Sequence, residues 1–562
     1  MVATFPPPAP GFWELDRSHT TGGATPIVSG LTTESAEAAF LRLFAEFGIP
    51  AETLSMRYVN GFCYTRLRPL VSADRPPRRS PPVFVTRLVT RLHPEFRRRA
   101  AAATRTLSSR PWRRVVEQWK AEIRPGLERR NLALQDVDTA ALDDQRLCRH
   151  LADLLAHARL TCEEHFYLHG FDLGPLGMLI LAGREWGLPP SEVVGALVGA
   201  SPSTSAPAEA LIRLREGIAA TGLQPTSLAE VRAASPELAA ELDGYLRHRG
   251  AVLYSGYDLD TPTLCESPGV VLAAILHGQR ERGDLPDPEA VAAQLRDKVP
   301  PAERGRFDEL LSDARAAMDM RDDNGPLTVE WPIGLLRLAM LEAGRRLVAA
   351  GRLTEVDHVF ELDSRELVSM TRGGAGPEPA VVAARAARRQ SDKALDPPAV
   401  LGRAEPPPPL DALPGPLATM VSVVTAVMAE LGMAGRDPSV GGDEQGLAGC
   451  GIGERAVTGV ARTAATAEEA IAALEPGEIL VTRTTSPAYN MVLNLVGGLV
   501  TAEGGVMSHA AVLSRELGIP AVIGAPGAMV AIGDGDLVEV DPLSGTVRVL
   551  GPSSTASSAS PA

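Results

Sequence analysis

The sequence predicts a multidomain chain, a mainly α-helical N-terminal region followed by a smaller C-terminal α/β domain. Three observations predict it. Apolar residues recur with helical spacing from about residue 30 to 370. Proline and glycine then crowd residues 373–416, and beyond them short strand-like and helix-like runs alternate.

In chain order, residues 1–30 form an N-terminal extension and 31–372 the helical region. Within it the helical periodicity is carried by 34–48, 143–166, 207–219 and 334–351, and several of these runs stop at glycine, as helix ends do. Residues 373–416 contain GGAGPEPA and AEPPPPLDALPGP and predict a linker with one short Ala/Arg-rich helix inside it. Residues 417–551 predict the C-terminal domain. Strands are expected at 456–464 and 477–485 around a helix at 466–474, then a helix at 486–497 and a strand at 498–504. A helix follows Ser508, and 519–524, 535–541 and 545–550 complete the strands, the last two joined by the turn PLSG. Residues 552–562, PSSTASSASPA, predict a disordered tail.

Bulk properties narrow the function. A formal charge of −14 argues against a general nucleic-acid binder. Cys63, Cys148, Cys162, Cys265 and Cys450 are scattered, odd in number and without a CxxC pair, which fits reduced thiols rather than a disulfide framework. The N-terminus MVATFPPPAPGFWELD lacks a basic and apolar leader pattern, and the run LATMVSVVTAVMA is too short to span a bilayer. The expectation is a cytoplasmic protein with no membrane and no nucleic-acid partner.

One histidine stands out. In GGVMSHAAVLSRELGIPAVIG (504–524), His509 follows Ser508, a good N-cap, and so opens a helix. Helix-start N–H groups and the positive end of the dipole favour a phosphoryl anion there. Gly504 and Gly505 leave room for close approach, and a neutral imidazole is a competent nucleophile near pH 7. By spacing alone, a histidine that merely hydrogen-bonds at a helix start is an equal alternative.

The longer pattern resembles a known family. PGEILVTRTTSPAYNMVL, GGLVTAEGGVMSHAAVLSRELGIPAVIG and GDLVEVDPLSGTVRVL, about residues 450–550, resemble the phosphohistidine swivelling domain of the pyruvate phosphate dikinase and phosphoenolpyruvate synthase family, the PEP-utilizing enzymes. The resemblance implies that His509 is phosphorylated and carries the group between two distant active sites. Gly504, Gly505 and Ser508 fall on motif positions as phosphoryl-site support, and Arg515 and Glu516 match a segment taken as structural. Such proteins usually also hold an ATP-grasp domain. Here the lysines are Lys120, Lys298 and Lys393, none following glycine, so no P-loop is possible and no ATP-grasp pattern surrounds them. No room for a C-terminal phosphoenolpyruvate barrel is evident either. No cofactor is therefore expected on this chain, and ATP and Mg2+ are expected on a separate ATP-grasp partner.

The order of domains is similar to that of rifampin phosphotransferases without their ATP-grasp module. FWELDRSHTTGGATPI, MRYVNGFCYTRLRPL, the stretch 241–275 and GRRLVAAGRLTEVDHVFELDSREL carry that weaker likeness. It implies that the helical region binds a small-molecule phosphoryl acceptor. Where relatives show GEIDL, this chain has Tyr254-Ser255-Gly256-Tyr257-Asp258-Leu259, so the glutamate is absent. His248, Arg249, Asp258 and Glu266 are the acceptor-pocket candidates, an arginine to clamp phosphate and His or Asp to take a proton. A polar loop satisfied by caps and turns is the alternative for each.

Two further patterns carry less weight. His165 and His169 stand at i, i+4, a zinc-like spacing without further ligands, so no metal site is expected. The arginines from Arg75 to Arg114 form a basic stretch, a solvated face or a dock for an acidic partner. The leading expectation is a dikinase-like phosphotransferase subunit that moves phosphate from ATP, through His509, to a hydroxyl or enol. A phosphorylation-coupled dehydratase and a non-catalytic phosphocarrier or regulatory protein are the alternatives.

Overall fold

The computed structural model describes residues 4–16, 22–71, 82–254, 256–277, 287–403, 409–431, 447–485 and 489–552, with the backbone alone for Glu468, Asn490 and Met491. The tail beyond Pro552 and the arginines Arg75, Arg78 and Arg79 lie outside the described residues.

The N-terminal region is built around one helix. Asp144–Glu185 runs for 42 residues, with Asp143 accepting from the Arg146 N–H at 2.7 Å as its N-cap. Helices Pro26–Phe47, Arg304–Gly325, Trp331–Ala349 and Gly415–Glu430 pack around it. The expected helix ended at residue 166, before Gly170, Gly174, Pro175 and Gly177. These glycines do not break the helix but let neighbours approach. A Cβ on Gly170 would lie 2.4 Å from Leu43, and one on Gly177 2.6 Å from the Val423 carbonyl oxygen. Among the described residues this is the one helix long and apolar enough, by length and composition, to cross a membrane, and most of that stretch is buried inside the protein.

The region is not purely helical. Strands β1 (Phe12–Leu15), β2 (Ala51–Val59), β3 (Phe62–Pro69) and β4 (Val400–Gly402) form an antiparallel sheet in the order β2-β3-β1-β4. Asn60 and Gly61, at φ 49° and 76°, make the two-residue hairpin turn between β2 and β3 that the helical expectation passed over. β1 lies inside the expected N-terminal extension and β4 inside the expected linker.

That linker is tied down. Helix Pro379–Lys393 is bound to the helical body through Arg385–Glu366 (2.7 Å), Arg389–Glu361 (2.8 Å) and Lys393–Asp260 (2.5 Å). Helix Gly415–Glu430 buries Leu417, Met420, Val423, Ala426 and Val427 against the helices at 94–109 and 144–185. Residues 417–430 therefore pack with the helical body, and the sheet of the C-terminal domain starts only at residue 447. The apolar face of that helix, which needs cover, is the reason.

The C-terminal domain holds β5 (Leu447–Ala448), β6 (Cys450–Ile452), β7 (Val457–Ala464), β8 (Ile479–Thr482), β9 (Gly498–Thr501), β10 (Ala521–Ile523), β11 (Asp536–Asp541) and β12 (Thr546–Pro552). The sheet order is β5-β12-β11-β7-β8-β9-β10-β6, with β7, β8, β9 and β10 parallel. Ile479 and Val481 pack into one face cluster and Leu480 into the other, so both faces are covered. That is why these strands are unbroken apolar runs rather than alternating ones. Helices at 467–473 and 509–517 cross between neighbouring parallel strands, as parallel connections require.

Candidate phosphohistidine site

His509 is positioned by the carboxyl ends of two adjacent parallel strands. After β8 the chain runs on to Thr485, and after β9 it turns through Gly504 to Ser508 and the helix His509–Leu517. Ligand sites of parallel sheets form at such strand ends. Gly504 takes φ +119°, a conformation open to glycine, and a Cβ there would crowd Ser508 Oγ at 3.0 Å. The Gly505 carbonyl accepts from the Ser508 N–H at 3.0 Å, and Ser508 Oγ caps the helix by accepting from the Ala511 N–H at 3.4 Å. His509 Nδ1 shares a 2.9 Å hydrogen bond with Thr485 Oγ1, a buried hydroxyl. Burial, with the Arg321 charge second, pushes the imidazole down to about 3, so the ring is neutral at physiological pH.

Arg321 belongs to the helical body. Its guanidinium donates to the Met507 carbonyl at 3.2 Å, two residues before His509. The Met507 N–H donates to the Glu430 carbonyl at 2.8 Å, and the Gly199 N–H to Glu516 Oε1 at 2.9 Å. Next to Arg321, Asp322 accepts from Thr204 Oγ1 at 2.8 Å, and burial holds its carboxyl above the usual range. His509 thus faces a charged surface of the other region. Arg515 turns inward to the Val506 and Ala511 carbonyls, which is a structural role.

Residues 474–545, which carry Thr485, Gly504, Gly505, Ser508 and His509, match the family described as PEP-utilising enzyme, mobile domain. The C-terminal domain belongs to that family. Over 333 residues the chain is 29% identical to a rifampicin phosphotransferase of Streptomyces sviceus, a match covering 55% of this chain and 34% of that protein. It is 43% identical over 90 residues to the phosphoenolpyruvate synthase of Aeropyrum pernix, covering 16% and 11%. A chondramide synthase of Chondromyces crocatus is 32% identical over 335 residues, covering 55% and 8%. The chain thus spans about a third or less of the length of these relatives.

The four acceptor candidates are held by separate sets of partners. His248 is held by the Gly244 carbonyl (3.0 Å) and Glu128 (3.2 Å) on an exposed helix end. Glu266 forms a two-pronged pair with Arg337 at 2.9 and 3.0 Å and closes a capping box with Thr263. Asp258 accepts from the Thr25 N–H (2.9 Å), Thr25 Oγ1 (2.5 Å) and the Leu259 N–H (2.6 Å), pinning the loop to the start of helix Pro26–Phe47. Burial and Asp260 push its carboxyl up to about 6 against those donors. Arg249 differs, since its charge acts on the buried carboxyls of Asp323 and Glu330.

The i, i+4 histidines take part in local networks. His165 Nδ1 lies 3.2 Å from Thr328 Oγ1, and His169 Nδ1 3.1 Å from Asp172 Oδ2. Among the described residues no group of three or more His, Cys, Asp or Glu gathers to hold a metal ion. In the basic stretch, Arg87 pairs with Asp411, Arg98 and Arg99 with Glu95, and Arg110 and Arg113 with Asp313. Sequence reasoning missed Arg321, Asp322, Thr485 and Glu330. For Thr485 a signal existed, because it lies in the same TRTTSP run that carries the family likeness.

Proposed function

We propose that this chain is the phosphoryl-carrying and acceptor-binding part of a dikinase-like phosphotransferase. His509 takes a phosphoryl group that originates from ATP, held with Mg2+ on an ATP-grasp partner, and passes it to a hydroxyl or enol bound by the helical body. The single observation that carries this reading is the placement of His509 at the β8 and β9 strand ends, with Arg321 of the helical body at its turn.

The chemistry follows from the hydrogen bonds. In the tautomer that donates Nδ1–H to Thr485 Oγ1, Nε2 is the nitrogen that attacks phosphorus, and the neutral ring is a ready nucleophile. In delivery, the acceptor oxygen bonds to phosphorus and the P–Nε2 bond breaks, its electrons returning to the ring. The ring departs as neutral imidazole because Nδ1 already holds its proton. The acceptor's proton passes to a base of the helical body, and Asp322, paired with Arg321, is our candidate for it. Arg321 supplies positive charge where the transferring group is most anionic.

Incubation with labelled ATP and an ATP-grasp partner tests this. The expected result is an acid-labile label on His509, absent in a His509→Ala variant that still melts cooperatively. A label that maps to His248 or His165, or full transfer by His509→Ala, overturns it.

A further inference from the structure

Glu330 is the buried group that the chemistry at His509 leaves unexplained. It is 4% exposed, and its Oε1 has no hydrogen-bond partner among the described residues. Buried carboxyl oxygens are rarely left so, because the lost hydration is not returned. Glu330 ends a π turn, Pro326–Glu330, that joins helices Arg304–Gly325 and Trp331–Ala349 into one run. Such wide turns are frequent at functional sites. Gly325 stands beside the orphan oxygen, and a Cβ there would come to 3.4 Å from Oε1, so the glycine keeps that side open.

The surroundings are polar and charged. Arg249 and Tyr257 lie within electrostatic reach of the Glu330 carboxyl, and the Tyr257 phenol also senses Asp16. Burial pushes Glu330 up to about 8, with Arg249 pulling the other way. The Leu253 N–H donates to the Glu330 carbonyl at 3.4 Å, tying the loop to this helix. That loop is the one whose glutamate is absent at Gly256, so the carboxyl near Tyr257 comes from the helix instead. Glu330 stands nine positions beyond Arg321. At about 1.5 Å per residue that is roughly 13 Å along the helix.

We propose that Glu330 is the distal anchor of the acceptor site, its Oε1 accepting a hydrogen bond from a hydroxyl, amide or amine of an elongated acceptor whose reactive hydroxyl lies at His509. The proposal rests on His509 being the phosphoryl carrier. It assigns a substrate class: molecules with a hydrogen-bond donor roughly 13 Å or less from the hydroxyl that is phosphorylated, a limit set by the helix rise.

Potassium phosphoramidate can charge His509 chemically, without the ATP-grasp partner. The charged full chain is then offered ethanediol, butanediol, octanediol and octanol, and phosphate esters are read by phosphorus NMR. Octanediol should take the phosphoryl group faster than octanol by about tenfold, the worth of one hydrogen bond to a buried polar group. In Glu330→Leu and Glu330→Met that advantage should vanish while His509 still charges. The melting temperature should hold or rise, since a buried unpaired group is removed. Equal rates for octanediol and octanol, an advantage that survives in the folded variants, or a charged protein that transfers to no diol overturns the proposal. A wild-type chain that phosphoramidate cannot label at His509 instead overturns the carrier reading itself.

Discussion

The mobile domain and the helical body hold their chemical groups by different means. In the mobile domain, backbone geometry places the histidine: two parallel strand ends, a glycine at positive φ and a capped helix start bring Thr485 and His509 together. In the helical body, Arg321, Asp322 and Glu330 sit mid-helix and are placed by packing between elements far apart in sequence. A site of the first kind is written in one contiguous motif. A site of the second kind exists only once the helices have assembled.

The sharpest way to break that contrast is Arg321→Ala. If the body contributes charge to the transferring group, phosphoryl delivery should fall by about 100-fold, the usual loss for one preorganised donor. Partner-dependent charging of His509 should persist. Delivery at the wild-type rate in single-turnover transfer would show that the mobile domain works alone.

Gly177→Val tests the packing side. The side chain would collide with the Val423 carbonyl, and overpacking of this kind costs about 1–3 kcal/mol. The drop should appear in denaturant melts of the full chain, with chemical labelling of His509 intact. An unchanged midpoint would mean that the helices at 144–185 and 415–430 do not meet this closely.

Acid should separate the two regions. Docked His509 is held neutral to about pH 3 by burial and Arg321, whereas an undocked imidazole returns to an ordinary value near 6.5. Below that value the undocked state binds a proton that the docked state refuses, so docking is fully present above about 6.5 and weakens as pH falls, by about 1.4 kcal/mol per unit at most. Asp322 acts in the opposite sense, because its raised carboxyl gains a proton more readily when buried. The protection factor of the Met507 amide, which removes the intrinsic pH dependence of exchange, should therefore fall from pH 7.5 to 5.5, and His509→Gln should remove that fall. The same profile in both proteins would assign the effect elsewhere.

The smallest effect is expected at Ser508. Its Oγ caps the helix, so Ser508→Ala should cost about 1 kcal/mol in a thermal melt and leave His509 chargeable. A loss of charging comparable to His509→Ala would give Ser508 a chemical role.

The same contrast decides what was legible. The strands and the helix of the mobile domain follow from short apolar runs and an N-cap serine, and His509 from its motif, all local signals. The helical body misled at glycines and prolines. Gly170, Gly174 and Gly177 have the composition of a helix end, yet they serve close approach inside a continuous helix. Asp323-Asn324-Gly325-Pro326 has the composition of a turn, yet the run continues through a π turn that sets Glu330. Local rules describe a solvated backbone, and these positions obey neighbours that the sequence window does not contain.

The contacts between the two regions carry a consequence for divergence. Met507 meets Glu430 through an amide and a carbonyl, Arg321 reaches a carbonyl, and Glu516 receives an amide from Gly199. Each of these bonds has at least one main-chain partner, and only Arg321 and Glu516 contribute side chains to them. Such a seam tolerates drift elsewhere on the surface, so a mobile domain from a distant relative should seat on this helical body if its turn keeps the same backbone path, an apolar side chain at Met507 and an acceptor at Glu516.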